Sequence, residues 1–198
     1  MKATKTLPET YTQVWEADVE KDKRLMWLLQ LLALPLAVVV SFLLGLYTYW
    51  VRIDIVFSPQ ITFPFWAILA ILTVAFVTIV LHELVHGVLF WFYTHERPKF
   101  GFKLLYAYAA APGWYFAKNV YWLIGIGPLV FLSLLGMVIL PFVPLTWLPY
   151  LLLGLFLNAT GAIGDLYIVI RLAFEPAGTL VHDHGTGFRV FRPTTPIS

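Results

Sequence analysis

Four stretches of this chain are apolar for long enough to cross a bilayer as helices, which takes about 20 residues each. They cover about 25–50, 63–93, 120–140 and 148–172. Pro35 is a candidate kink in the first, and Gly125, Gly127 and Pro128 sit near the start of the third. The second is long enough to tilt or to project from the membrane. Of the 198 residues, 60% are hydrophobic and 12% charged, against about 25% charged in soluble domains. Mean hydropathy is +0.81. The expected class is therefore an all-α integral membrane protein with about four transmembrane helices and lipid as its main solvent.

The basic residues set the expected topology. Lys2, Lys5, Lys21, Lys23 and Arg24 precede the first segment. Arg97, Lys99, Lys103 and Lys118 lie between the second and third, and Arg171, Arg189 and Arg192 end the fourth or follow it. Arg52 alone occupies the other side. This twelve-to-one bias puts both termini and the middle loop in the cytoplasm of a multi-pass protein, in a prokaryotic cell membrane by the resemblance given below. The expected organisation is a cytoplasmic tail over 1–24, a four-span domain over 25–173 and a cytoplasmic tail over 174–198. The first tail lacks the apolar core and cleavage site of a secretory signal, so the first segment reads as an uncleaved span. A net charge of +2 argues for no nucleic-acid partner.

The loop over 95–119 is less simple. Phe100, Phe102, Leu104, Tyr106 and Tyr108 alternate with Gly101, Lys103, Leu105 and Ala107. That period of two predicts a short strand or hairpin at the membrane surface. It suits an interfacial aromatic belt, and it equally suits an edge strand that holds an extended substrate by strand addition.

Among the eleven acidic residues, only Glu83 and Asp165 fall inside the apolar segments. A buried acid there costs roughly 2.5–3.5 kcal/mol on insertion scales, so it pairs, binds an ion or does chemistry. Glu83 belongs to His82-Glu83-Leu84-Val85-His86. On a helix the two imidazoles lie one turn apart on one face, about 6 Å along the axis. They suit a single zinc ion, with Glu83 turned roughly 100° away as a general base. The chain has no cysteine, so thiolate ligands are excluded. A third histidine six residues after His86 is missing, since Phe92 stands there. His95 and Glu96 are about 14 Å along the helix, out of reach.

Asp165 is the best candidate for the third ligand. Counted from the outer ends, the motif lies roughly 30 Å into the second segment and Asp165 roughly 25 Å into the fourth. Gly154, Gly161 and Gly164 predict a close helix contact that would bring the carboxylate to the histidines. A pairing of Asp165 with Arg171, or a helix cap, is the alternative. Asn158 lies two turns before Asp165 on the same face. Its amide suits either substrate or oxyanion binding or an interhelical hydrogen bond.

These residues resemble the site-2 protease group of intramembrane zinc metalloproteases. The chain is most similar to small four-span zincin peptidases of bacteria and archaea. The likeness rests on His82 through Gly87, on Gly127-Pro128 opening a later span, and on Asn158 through Asp165. It covers the second to fourth segments. It implies one zinc held by His82, His86 and Asp165, with Glu83 as base and Asn158 positioning substrate. Departures are Gly164-Asp165-Leu166 in place of Leu-Asp-Gly, Gly161 in place of a proline, and loops too short for a PDZ-like insertion. The implied reaction is hydrolysis of a peptide bond in or beside the membrane segment of a protein substrate. A membrane protein that binds or transports divalent cations with the same ligands is the rival. It would be expected to line more of its spans with polar groups, and the first and third carry none that ionise.

After the fourth segment, His182-Asp183-His184 could bind metal on a strand or gate the site. Otherwise it reads as a solvated turn before a short strand over 187–191.

Overall fold

The computed structural model describes residues 3–53, 65–103 and 107–194. Two strands come first, β1 (Ala3–Thr4) and β2 (Tyr11–Asp18). Helix α1 (Lys23–Val51) follows, its first turn capped by the Asp22 carboxylate, which accepts from the amides of Arg24 and Leu25 at 2.9 and 3.1 Å. Helix α2 (Ala67–Thr94) ends where His95 takes a left-handed conformation at φ 53°. The loop beyond it forms β3 (Lys99–Phe102), β4 (Ala107–Ala110) and β5 (Tyr115–Ala117). Helix α3 (Lys118–Ile139) leads through a 3-10 turn to α4 (Leu148–Gly161) and α5 (Ile163–Ala173), and the chain closes with β6 (Leu180–Asp183) and β7 (Gly187–Pro193).

Three helices, α1, α2 and α3 with its 3-10 extension, are long and apolar enough to span a membrane. The expected fourth span is broken. α4 and α5 meet at 42°, and they count as a fourth only if the bent pair is one span. The break sits at Ala162 beside Gly161 and Gly164, a glycine-rich stretch of the kind where helices bend. The expected start at residue 63 and the alternating residues 104–106 lie outside the described residues.

The outer faces of α1 and α2 are apolar and bare. Leu31, Leu34, Val38, Phe42, Ile68, Leu69 and Leu72 are all exposed. That arrangement is stable in lipid and not in water. Arg52, at the end of α1, donates to the carbonyls of Leu140 and Val143, which closes the loop end of the bundle.

The expectation of an all-α chain with one hairpin is too narrow. The molecule is mostly helical, but both tails enter an antiparallel five-stranded sheet of order β1-β5-β6-β7-β2. β3 and β4 form the expected hairpin separately, with Phe100 opposite Ala109. The long pairing is β2 with β7, Tyr11 opposite Pro193 through Asp18 opposite Gly187, with an irregularity between Gln13 and Trp15. That bulge breaks the period-two pattern of β2, so the strand is not evident locally. A buried core of Phe90, Phe116, Tyr121, Ile124, Leu172, Val181 and Val190 joins the sheet to the helix ends.

Glu175 binds this layer together. Its carboxylate accepts from Trp15 Nε1 at 2.9 Å and from Arg192 at 2.6 and 3.1 Å. The Arg192 guanidinium holds the Glu175 carboxyl below its ordinary range. Arg171 lies over the Trp15 ring at 4.6 Å. Replacing Glu175 by Ala leaves Trp15 and Arg192 unpaired and should cost about 1–3 kcal/mol. Thermal unfolding in detergent at pH 7 should show it. Because the folded carboxyl is depressed, its contribution exists at neutral pH and fades as pH falls below the ordinary 4.5. The gap between the wild type and Glu175→Gln should therefore narrow in acid.

Candidate metal centre

The α2 helix carries His82 and His86 on its inner face, where they are 9% and 8% exposed. Each ring is aimed by its far nitrogen. His82 Nδ1–H donates to Asn158 Oδ1 at 3.0 Å, and His86 Nδ1–H donates to the Ile124 carbonyl at 3.0 Å. With both Nδ1 atoms bonded to acceptors, both Nε2 lone pairs face inward. The bend at Ala162 turns the first turn of α5 toward them. The Asp165 carboxylate then lies 3.0 Å from His82 Nε2 and 3.4 Å from His86 Nε2. One ligand atom from each of the three side chains lies within 4.8 Å of the others.

These groups fit a cation. Two imidazole lone pairs and a carboxylate crowd one point, and they repel unless positive charge lies among them. The two imidazole-to-carboxylate spacings are near the roughly 3.3 Å expected between ligands of a tetrahedral ion with bonds of about 2.0–2.1 Å. An N,N,O set without sulfur suits zinc. Arg171, the alternative partner for Asp165, is occupied by Trp15.

Glu83 points to a different side of α2, into a cleft of about 160 Å³ that His86 and Asp165 also line. Ala107, Tyr108 and Ala109 of β4 line the same cleft. The hairpin comes this close because of Gly87. A Cβ there would lie 2.4 Å from the Phe100 ring.

Asn158 is 2% exposed and fully engaged. Besides accepting from His82, its amide donates to Ser133 Oγ at 3.2 Å. The glycines act differently from expectation. Gly154 does pack against α2, where a Cβ would lie 3.3 Å from Thr78 Oγ1, but a Cβ on Gly161 or Gly164 would meet nothing. The close approach to α5 comes from Gly125 on α3, whose Cβ would lie 3.0 Å from Val169. His95 and Glu96 stay apart from the histidine pair, Glu96 being bound to Lys5 and Trp114. His182 packs on Tyr115, and His184 faces Glu16 rather than this cluster.

A family model described as "Putative zincin peptidase" matches residues 75–180. The chain belongs to that family. Family membership points to a metallopeptidase and implies a zinc cofactor. The matched region runs from α2 to the start of β6 and contains His82, Glu83, His86 and Asp165. Comparison with curated proteins finds no match, and neither does comparison with solved structures.

Inspection of the sequence misses Tyr121 and Asp183, which also line the cleft. Tyr121 donates its hydroxyl proton to Asp183 Oδ2 at 2.5 Å, and Asp183 Oδ1 accepts from the Gly185 amide at 2.7 Å. Nothing in the local pattern of β6 marks Asp183 as buried; the pairing of β6 with β5 and β7 buries it. That burial pushes its carboxyl up to about 6. In metal-free protein a protonated-carboxyl infrared band should therefore disappear as pH rises from 5 to 7. The band should be absent from Asp183→Asn at every pH. A band that titrates near pH 4 would contradict this placement.

Proposed function

We propose that this chain is a zinc metalloendopeptidase that cuts a peptide bond in or next to a membrane segment of another protein, with the lipid bilayer as its setting. The observation that carries the proposal is the convergence of His82, His86 and Asp165 beside Glu83 on an otherwise apolar helix. His86 is eight residues from the end of α2, so the site lies about 12 Å along the helix from that end.

The topology belongs to the same proposal. The sheet joins strands from before α1, from between α2 and α3, and from after α5. Those three segments must share one side of the membrane, which favours four crossings with α4 and α5 as one bent span. The basic residues of the same segments favour the cytoplasmic side and place both termini there.

His82, His86 and Asp165 would hold the ion. Zinc bound there would acidify a water and polarise the scissile carbonyl. Glu83, aimed into the cleft, takes the proton from the attacking water and returns it to the departing nitrogen. The substrate chain must be extended at that point, because a helix shields its carbonyls. β4 offers it an edge, since β4 pairs only with β3 among the described residues and faces the cleft. Asn158 acts on His82, holding the Nδ1–H so that Nε2 stays free for metal. Its amide is committed to protein partners, so it positions a ligand rather than touching substrate.

The test uses purified full-length chain in detergent with a membrane-protein substrate. Glu83→Gln should retain zinc and lose cleavage by about 10²–10⁴-fold, the usual weight of a general base. Cleavage that survives this change would overturn the mechanism. Asp165→Ala should lose the metal. Asn158→Ala should weaken zinc affinity by about 10–100-fold, as loss of a ligand's hydrogen-bond partner does. Competition with a chromophoric chelator measures that change. An unchanged affinity with a raised KM would return Asn158 to substrate binding.

A further inference from the structure

The end of β2 and the turn between β6 and β7 bring a second group of ligating side chains together. One ligand atom each from Glu16, Asp18 and His184 lies within 4.8 Å of the others. The turn is held firmly to the strand. The Val19 amide donates to the Thr186 carbonyl at 3.1 Å, and His184 N–H donates to the Gly187 carbonyl at 3.0 Å. A Cβ on Gly187 would lie 2.1 Å from the Ala17 carbonyl oxygen, so only glycine lets the strands meet there.

Within that frame the His184 ring is poorly satisfied. Its Nδ1 is 3.3 Å from Thr186 Oγ1, which can accept the Nδ1 proton. Its Nε2 is then left with a lone pair. That atom is buried without a hydrogen-bond partner, and the nearest Glu16 oxygen is 3.9 Å away, too far for a hydrogen bond. Whichever ring nitrogen carries the proton, Nε2 lacks a partner, and a cation held between it and the two carboxylates would supply one.

Asp18 is oriented as a ligand would be. Its Oδ1 accepts from the amides of Glu20 and Lys21 at 2.9 and 3.3 Å, which fixes the carboxylate and leaves Oδ2 bonded only to the Lys21 ammonium. Two cations compete for these carboxylates. Arg189 Nε donates to Glu16 Oε2 at 3.3 Å. Lys21 reaches Glu16 Oε1 and Asp18 Oδ2 at 3.4 and 3.3 Å. The Lys21 side chain is 68% exposed and can swing into water. Arg189 holds the oxygen of Glu16 that faces away from His184.

We infer that Glu16, Asp18 and His184 form a second site for a divalent cation of the zinc class. The bound ion ties the end of β2 to the β6–β7 turn. Ala17, Val19, Thr186 and Gly187 from those two elements line the cleft beside Glu83. The ion therefore has a structural part to play, fixing the wall of the cleft opposite α2. This site stands apart from the histidine pair on α2, and its existence does not depend on the proposed peptidase reaction.

The experiment is zinc binding by the full chain in detergent after stripping with a chelator, read by equilibrium dialysis with zinc alone. The wild type should bind two equivalents. His184→Ala should bind one, and the double variant His82→Ala/His86→Ala should also bind one. Zinc should raise the melting temperature of that double variant, and the rise should vanish when His184→Ala is added. Glu16→Gln, a milder change at a partly exposed position, should weaken the second equivalent while leaving the first intact. One equivalent in the wild type that His184→Ala still binds overturns the second site. So does a His184→Ala variant that still takes two, or a double variant whose melting temperature zinc does not move. Loss of cleavage or of the first equivalent bears only on the α2 site, so the two proposals fail separately.

Discussion

The Asp165 carboxylate faces two imidazole nitrogens, 3.0 and 3.4 Å away, across the packing of α2 and α5. Three polar side chains in an apolar bundle carry a large cost unless they meet. Much of the helix arrangement serves that meeting. The bend at Ala162 aims α5, Gly125 lets α3 press close to it, and Asn158 and the Ile124 carbonyl fix the two rings. Remove any of these and the nitrogens lose either their direction or their counter-charge.

The second constraint is the closure of the sheet. Backbone amides and carbonyls next to lipid are costly unless most of them are paired. Here the segments outside the helices pair with one another over distances as long as β2 to β7. The result is a layer across one end of the helices. It supplies one wall of the cleft through the β6–β7 turn, while the β3–β4 hairpin supplies another against α2. Glu83 of α2, Ala109 of β4 and Asp183 of β6 line the cleft together, so the two parts of the molecule meet at the site itself. Helices and sheet are thus mutually dependent. The helices hold His82, His86 and Asp165, and the sheet and hairpin shape the cleft beside them.

Much of this was legible in the chain. The apolar runs marked α1, α2 and α3 to within a few residues, because burial in lipid needs no partner to be recognised. His82, Glu83 and His86 were legible because helical spacing alone puts two rings on one face. Asp165 could be singled out because an acid in an apolar run is expensive wherever its partner lies. The sheet was less legible. β2 carries a bulge that hides its alternation, and its partner β7 lies at the other end of the chain, Tyr11 opposite Pro193. Tyr121 gave no signal, and Asp183 appeared only as the middle of His182-Asp183-His184, because the burial of Asp183 arises from strand pairing.

The sequence by itself determined that these helices lie in an apolar medium and which of their side chains can ligate a metal. Hydropathy, charge and helical period are local properties, and they can be read without contacts. Only the tertiary structure decided that α4 and α5 are two helices, that Asn158 serves His82, and that the tails complete the cleft. Those outcomes depend on which surfaces touch. They come from a glycine-rich break, a buried amide with four neighbours to satisfy, and strands that pair with partners far along the chain.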